Sequence, residues 1–206
     1  QLAALAPGGD TLLIPDRPTG GFAVGDWVLN DAENRVRSLL ERQTELSRRA
    51  AGTHAAGQLI AANTDVLFIT SSCNADFNPA RLERYLALAH QAGCYPVVVL
   101  TKADTCDDPG GYRRAAEQLE PFLTVLTLDA RDPAELRQML DWVQPGQTAA
   151  LAGSSGAGKT TLANGLTGRA EATQDIRKDD AKGRHTTTAR HLHRMINGGW
   201  LIDTPG

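Results

Sequence analysis

Runs of consecutive apolar residues recur along the chain, separated by segments in which apolar residues lie three and four positions apart. The runs occupy residues 65–70, 95–101, 122–128 and 148–152, and their length is typical of strands buried on both faces. The intervening segments predict helices that begin at Pro79, include residues 112–119, and begin again at Pro133. This alternation predicts an α/β fold with a parallel sheet covered on both faces.

Two of these helices carry a start signal. Asn78 precedes Pro79, and Asp132 precedes Pro133 and is followed three positions later by Glu135. Asparagine and aspartate accept hydrogen bonds from the free N–H groups of a first helical turn, and proline fits the first helical position. We therefore place the two helix starts at these residues.

The first 50 residues have a different pattern. Gly20 and Gly21 precede a short strand-like run over residues 22–29, and an arginine-rich stretch follows. Over residues 36–46 the spacing of apolar residues fits a helix as well as a strand, so the local pattern leaves both open.

The predicted domain division follows from this change in pattern. A segment of this size cannot bury a core of its own, so we expect residues 1–50 to belong to a small β-domain that begins before Gln1. Residues 51–57, rich in alanine and glycine, are the predicted linker to a second domain over residues 58–206.

Composition narrows the class of protein. The chain has 206 residues and a net charge of −3, and no apolar run approaches the roughly 20 residues of a membrane helix, so we expect no membrane partner. Its three cysteines are odd in number and lack C-x-x-C spacing, which indicates reduced thiols in a cytoplasmic protein.

His191 and His193 would share one strand face, but without a third ligand they do not predict a metal site.

Basic charge is concentrated in two segments. Residues 34–50 carry five arginines against two acids, and residues 184–194 carry three arginines and three histidines without an acid. Each segment fits either a solvated face or a surface for nucleic acid, and charge alone does not decide.

The residues after the fourth apolar run match the phosphate-loop pattern G-x-x-x-x-G-K-[ST]. Glycines let backbone N–H groups turn towards phosphates at the positive end of the following helix. Lys159 would reach the β- and γ-phosphates, and the Thr160 hydroxyl would coordinate Mg²⁺. The candidate nucleotide-binding residues of this loop are Gly153, Ser154, Ser155, Gly156, Ala157, Gly158, Lys159, Thr160 and Thr161.

A second motif, Thr101-Lys102-Ala103-Asp104, ends the second apolar run, and ligands of parallel sheets bind at such strand ends. The Asp104 carboxylate would accept hydrogen bonds from guanine N1–H and the 2-amino group, neither of which adenine offers. Lys102 would lie along the base. The candidate GTP-binding set also includes Asp129 and Ala130, which follow the third apolar run.

A third motif, D-T-P-G at residues 203–206, follows an apolar segment. Asp203 would hold Mg²⁺ through water, and the Gly206 N–H would touch the γ-phosphate. Between the loop and this motif lies a polar segment whose threonines offer the hydroxyl by which a switch loop closes on Mg²⁺. Thr187 and Thr188 are the candidate ligands there.

The order of these motifs is unusual. The guanine-reading motif comes first, the phosphate loop second and the magnesium motif last, whereas ordinary GTPases place the base-reading motif at the end. This order predicts a circularly permuted P-loop GTPase domain, because permutation moves the termini and keeps the site intact.

Together these segments resemble the circularly permuted ribosome-biogenesis GTPases of the RsgA (YjeQ/EngC) type. The phosphate loop reads G-K-T-T where the family usually has G-K-S-S or G-K-S-T, and residues 177–180 look more like a divergent paralogue. The matching segments are V-G-D-W-V at 24–28, A-A-N-T-D at 61–65, D-F-N at 76–78, R-Y-L at 84–86, T-K-A-D at 101–104, the phosphate loop, G-R-H-T-T-T at 183–188 and L-I-D-T-P-G at 201–206.

The resemblance implies a GTPase that uses GTP, GDP and Mg²⁺ and that binds the small ribosomal subunit late in assembly. It implies that residues 1–50 belong to an OB-fold that touches ribosomal RNA, and it favours the end of that barrel over a helix for residues 36–46. The family's zinc domain follows D-T-P-G, so zinc is expected only beyond Gly206. We expect a cytoplasmic monomer.

Hydrolysis also requires a group that orients the attacking water. Many GTPases use a glutamine directly after D-x-x-G, where the resembling family has an apolar residue. We hypothesise that His185, beside the magnesium threonines, or a ribosomal group takes this role. The other candidate catalytic residues are Lys159, Thr160, Thr188, Asp203 and Gly206.

Two other functions stay open from the residues alone. One is an RNA-binding module whose GTPase fold senses guanine nucleotide with little hydrolysis. The other is a P-loop kinase or ATPase, for which ATP would compete well with GTP.

Overall fold

The computed structural model describes residues 1–6, 8–49, 57–169 and 191–203. In the first part of the chain, short strands pair two by two in antiparallel ladders, β1 with β2, β3 with β4, and β5 with β6. Residues 36–46 therefore contain strands and no helix, as the family resemblance implied. The strands are β1 (Leu2–Ala6), β2 (Gly9–Leu13), β3 (Val28–Asn30), β4 (Val36–Leu39), β5 (Glu45–Arg49) and β6 (Gly57–Ala62).

A six-stranded sheet follows, with strand order β11-β12-β10-β7-β8-β9. Five strands are parallel, as predicted, but β11 runs antiparallel to β12. This edge strand departs from the predicted parallel arrangement because residues 195–199 form a tight turn, too short for the crossover that a parallel pair needs. The strands are β7 (Val66–Ser72), β8 (Tyr95–Thr101), β9 (Thr124–Thr127), β10 (Thr148–Gly153), β11 (His191–Arg194) and β12 (Trp200–Asp203).

Within the described residues, four helices cover the sheet. The predicted start signals are confirmed, since the Asn78 side chain accepts a hydrogen bond from the Arg81 N–H at 3.0 Å, and Asp132 accepts one from Ala134 at 2.8 Å. A third start of the same type, Asp108 before a proline, begins its helix three residues earlier than predicted. The helices are α1 (Pro79–Ala92), α2 (Pro109–Glu117), α3 (Pro133–Leu140) and α4 (Lys159–Thr167), and none of them is long and apolar enough to cross a membrane.

The core consists of two layers, one on each face of the sheet. Every residue of β7 is buried, and its side chains alternate between the layers, with Leu67 and Ile69 facing α1 and Phe68 facing α3 and α4. Burial on both faces explains why the sequence shows continuous apolar runs instead of alternation.

The segment 61–65 joins the first part of the chain to the sheet. Asn63 donates from its amide to the Gly25 carbonyl at 2.9 Å, and its side-chain oxygen accepts from the Gln43 N–H. The Thr44 hydroxyl donates to the Thr64 carbonyl at 2.8 Å. The A-A-N-T-D motif therefore serves as a hydrogen-bonded joint that leads directly into β7.

The strand-like run over residues 22–29 is only partly a strand. Its first half is a turn in which Asp26 accepts a hydrogen bond from the Ala23 N–H, and β3 begins only at Val28. The turn forms because Gly25 takes a left-handed φ of +96°, which an apolar pattern does not reveal.

Candidate functional site

The predicted site residues meet at one edge of the sheet, where the parallel strands end. Thr101 ends β8, Gly153 ends β10 and Asp203 ends β12, while Asp129 lies just after β9. Because these strands run in the same direction, residues far apart in sequence converge on a single edge. The phosphate loop, on the central strand β10, lies between the magnesium candidate on one side and the base-reading motif on the other.

The phosphate loop has the backbone that a close approach to phosphate requires. Gly153, Gly156 and Gly158 all have positive φ values, of 144°, 79° and 88°. A Cβ at Gly153 would lie 2.2 Å from the Thr70 carbonyl oxygen of β7, so only glycine fits there. The loop then enters α4 at Lys159, which leaves the helix N-terminus directed at the predicted phosphate position.

Lys159 folds back over this loop. Its ammonium donates hydrogen bonds to the Gly153 carbonyl at 2.9 Å and the Ser154 carbonyl at 2.7 Å. Burial lowers the pKa of Lys159, and the nearby carboxylates of Asp203 and Asp76 act in the opposite direction. A partly desolvated cation held against two carbonyls is ready to exchange them for an anion.

A buried hydrogen bond links the base-reading motif to the phosphate loop. The Thr101 hydroxyl lies 2.8 Å from the Ala157 carbonyl and 3.2 Å from the Ser71 carbonyl. Thr101 has no exposed surface, so this bond is shielded from water. The two motifs therefore form one connected unit.

The carboxylate that is predicted to read the base has a partner that the sequence did not suggest. Lys102 takes a left-handed φ of 59°, and the short turn Ala103–Thr105 then presents Asp104. The Arg131 guanidinium contacts Asp104 at 2.5 Å and Asp129 at 3.1 Å. Hydrogen bonding from Arg131 lowers the pKa of Asp129. The signal that could have found Arg131 is its position directly after Asp129 and Ala130.

Asp76 is a second residue that the predicted site did not include. Its carboxylate accepts a hydrogen bond from the Ser154 hydroxyl of the phosphate loop at 2.5 Å, and Arg81 pairs with it at 3.1 Å. The Ser154 hydrogen bond, together with Arg81 and Lys102, lowers the pKa of Asp76. Asp76 follows β7, so the strand-end argument that selected Asp104 would have selected it as well.

Several predicted residues lie outside the described part of the chain. These are the switch residues His185, Thr187 and Thr188, and Gly206 of the D-T-P-G motif. Their assignments remain predictions. Of the remaining candidates, Thr160 and Thr161 lie in the first turn of α4, where the Thr160 side chain is exposed. His191 and His193 share a face of β11, as predicted, with ring centroids 5.9 Å apart.

The described residues fit a nucleotide and its magnesium ion. The glycine cradle closes against the Thr70 carbonyl without a side chain. Burial beside it lowers the pKa of Lys159, and the nearby Asp203 carboxylate partly opposes this lowering. Threonine hydroxyl and carboxylate oxygens are the ligands that Mg²⁺ prefers, which suits Thr160 and Asp203.

A groove of about 850 Å³ lies at the opposite edge of the sheet, where the strands begin. Tyr95 and Trp142 stack against each other there with ring centroids 5.5 Å apart, and the Phe122 side chain is fully exposed. None of the predicted nucleotide residues lines this groove. Volume alone therefore does not locate the candidate site.

A mainly parallel sheet with a phosphate loop at the end of its central strand β10, and the candidate base-reading motif at the end of β8, two strands away, defines the class of P-loop GTPases. The chain order, with the base-reading strand before the phosphate loop, makes this the circularly permuted form of that fold. Two solved structures share it. YjeQ from Thermotoga maritima aligns with a TM-score of 0.69 at 21% identity, covering 97% of this chain and 68% of that one. YloQ, a circularly permuted GTPase, aligns with a TM-score of 0.61 at 24% identity, covering 89% and 56%.

Sequence comparison gives the family. Residues 39–206 match the family described as RsgA GTPase, and the chain belongs to this family. The small ribosomal subunit biogenesis GTPase RsgA of Mesorhizobium japonicum is 53% identical, over all of this chain and 61% of its own length. The small ribosomal subunit biogenesis GTPase RsgA 2 of Vibrio parahaemolyticus is 50% identical, over 90% of this chain and 52% of its own length. The chain thus spans between half and two thirds of these relatives.

Proposed function

We propose that the protein binds and hydrolyses GTP and acts as an assembly factor in late maturation of the small ribosomal subunit, in the cytoplasm and as a monomer. The substrates are GTP and water, the products GDP and phosphate. Two relatives at 50% identity or more are named small ribosomal subunit biogenesis GTPases, which supports the partner. Ribosomal RNA is the proposed contact of residues 1–50, which we interpret as part of an OB-fold.

One observation carries the nucleotide half of the proposal. The buried hydrogen bond from Thr101 to Ala157 ties the base-reading turn to the phosphate loop at 2.8 Å. A ligand that satisfies both ends must carry a base with paired N–H donors and a chain of phosphates. A guanine nucleotide has both, which favours GTP over ATP.

Each described residue then has a role. Asp104 would read the guanine edge, and the glycine-rich backbone with Lys159 would hold the phosphates. Mg²⁺, held by Thr160 and through water by Asp203, would neutralise charge on the β- and γ-phosphates. Thr187 and Thr188 would close over it, and His185 or a ribosomal group would orient the attacking water.

The test is a GTPase assay of the full-length protein alone, with isolated small subunits and with large subunits. We expect turnover to rise with small subunits only. Asp104→Asn should weaken GTP binding about 10- to 100-fold, because an amide N–H replaces a carboxylate oxygen opposite guanine N–H groups. Fluorescent GDP titration measures this loss.

Each alternative function has its own outcome in this assay. Tight GTP binding without stimulation by any subunit would identify a nucleotide-sensing RNA-binding module. Effective competition by ATP, together with unchanged nucleotide choice in Asp104→Asn, would identify a kinase or ATPase. Arg113→Ala is the control variant, since Arg113 pairs with Glu117 on the exposed side of α2 and touches no site residue.

A further inference from the structure

Arg131 spans the mouth of the candidate guanine site. One end of its guanidinium contacts Oδ2 of Asp104, and its Nε donates to Oδ1 of Asp129 at 3.1 Å. The two carboxylates belong to turns after different strands, β8 and β9, so the bridge closes the gap between them. Arginine suits this position because its planar fork presents several donors in fixed directions.

The contact with Asp104 conflicts with base recognition. Guanine offers N1–H and the 2-amino group side by side, and the pair occupies both oxygens of a carboxylate. A guanidinium already bonded to Oδ2 uses one of these two oxygens. Guanine and Arg131 therefore compete for Asp104.

Asp129 gives Arg131 a second anchor. Its Oδ1 accepts from both the backbone N–H and Nε of Arg131, so the side chain can leave Asp104 while it stays attached to Asp129. The Asp129 N–H in turn donates to Glu135 at the start of α3, which fixes the turn. The Arg131 side chain can therefore adopt two positions, one bonded to Asp104 and one released from it, while Asp129 holds it in both.

We propose that Arg131 is a gate on the guanine site, an internal counter-ion that pairs with Asp104 and is displaced by the base. The inference rests on the proposed function, because it assumes that Asp104 reads guanine. Arg131 is 68% exposed and Asp104 28% exposed, so the pair is weak and a ligand can open it. Exposed ion pairs shift equilibria by about two- to fivefold.

The gate predicts a specific kinetic signature. If only the open fraction of the protein accepts a base, the association rate falls by that fraction, while dissociation from the occupied site does not change. Arg131→Ala in the full-length protein should therefore raise the association rate of fluorescent GDP about two- to fivefold and leave its dissociation rate unchanged. Stopped-flow mixing measures both rates.

Controls separate the gate from a general change in charge. Arg113→Ala removes an exposed arginine of another ion pair and should match the wild type. Arg131→Lys keeps the charge but has no fork to bridge two carboxylates, so its rate should lie between those of wild type and Arg131→Ala. Raising the salt concentration should bring the wild type and Arg131→Ala rates together, because salt screens exposed pairs.

A second arm removes the other member of the pair. In Asp104→Asn the side-chain amide can donate to the 2-oxygen of xanthine, so this variant should bind xanthosine diphosphate. Adding Arg131→Ala to it should leave the association rate of that nucleotide unchanged, since no carboxylate remains to be blocked.

The outcomes distinguish the two proposals. Suppose that the wild type binds GDP through Asp104 but that Arg131→Ala associates with GDP no faster than the wild type. This result would overturn the gate and leave the proposed function standing. Nucleotide binding that does not depend on Asp104 would overturn both.

Discussion

At the residue scale, the charged groups of the site are partly buried, and a ligand of opposite charge would stabilise them. Lys159 is the clearest case, because burial disfavours its charged form while two loop carbonyls satisfy the ammonium. The hydrogen bonds and the desolvation oppose each other, so we expect the side chain to add little to the stability of the nucleotide-free protein.

Lys159→Ala should accordingly separate binding from stability. GDP affinity should fall about 10- to 100-fold, the effect of losing charge-assisted hydrogen bonds to phosphate. The free energy of unfolding without nucleotide should stay within about 1 kcal/mol of wild type. Titration with fluorescent GDP and urea unfolding measure the two quantities. A large loss of stability would mean that Lys159 is needed to fold the loop itself.

Sequence reasoning reached some of these residues and missed others for a physical reason. Asp104 and Lys159 lie in contiguous sequence motifs, so the neighbouring residues predict their roles. Arg131 and Asp76 act through partners 27 and 78 positions away in sequence, Asp104 and Ser154 respectively. Pairs of this kind form only after the strands align, so the sequence can mark Arg131 and Asp76 as residues near strand ends but does not show which side chains they contact.

At the scale of elements, the joint between the first part of the chain and the sheet is tightly packed. A Cβ on Gly25 would lie 2.0 Å from the Ala62 carbonyl oxygen and 3.3 Å from Cδ1 of Ile202 in β12. The Ala62 N–H also donates to the Val24 carbonyl at 3.0 Å. Backbone is thus pressed against backbone at this point, and neither side can move without breaking hydrogen bonds.

Gly25→Ala should destabilise the protein by about 2 kcal/mol or more, from a left-handed φ combined with a backbone clash. Gly146→Ala is the matched control, because Gly146 has a similar φ of +89° but nothing within 4 Å of its Cβ position. That control should lose only about 1 kcal/mol. Equal losses in urea unfolding of the two variants would show that the clash relaxes without penalty.

Fully buried strands were easier to predict from the sequence than exposed or edge segments. The four long apolar runs and the starts of α1 and α3 are predicted from pattern alone, because both depend on local signals. The run at residues 122–128 shortened to Thr124–Thr127, since Phe122 takes a left-handed φ of 63° and faces solvent. The antiparallel β11 depended on a turn between strands, which the pattern of apolar residues does not contain.

At the scale of the whole molecule, some charged side chains form buried ion pairs that stabilise the fold, and others lie exposed on the surface. Arg42 lies in the arginine-rich stretch that suggested a nucleic-acid surface, yet it pairs with Asp26, whose side chain is only 4% exposed. It also donates to the Gly21 carbonyl at 2.9 Å and pairs with Glu45. This arginine therefore holds the fold and is not free to contact RNA.

Arg42→Ala should lower the free energy of unfolding by about 2–4 kcal/mol, because it leaves the Asp26 carboxylate buried without its partner. Arg37→Ala should change stability by less than about 1 kcal/mol, since Arg37 is exposed in its pair with Asp31. Thermal and urea unfolding compare the two. An effect of Arg42→Ala as small as that of Arg37→Ala would mean that water reaches Asp26 freely.

The strand order also has a consequence for synthesis of the chain. β7, β8 and β9 are made first and can pair with one another, but β10, the neighbour on the other side of β7, and β12 come later. At about 5–20 residues per second, translation from Thr127 to Asp203 takes roughly 4–15 s. During that interval the nascent chain presents β7, with every residue destined for burial, as an open edge. The strand order thus leaves a strand whose residues all become buried at the open edge of a half-built sheet, where chaperones that bind apolar segments would meet it.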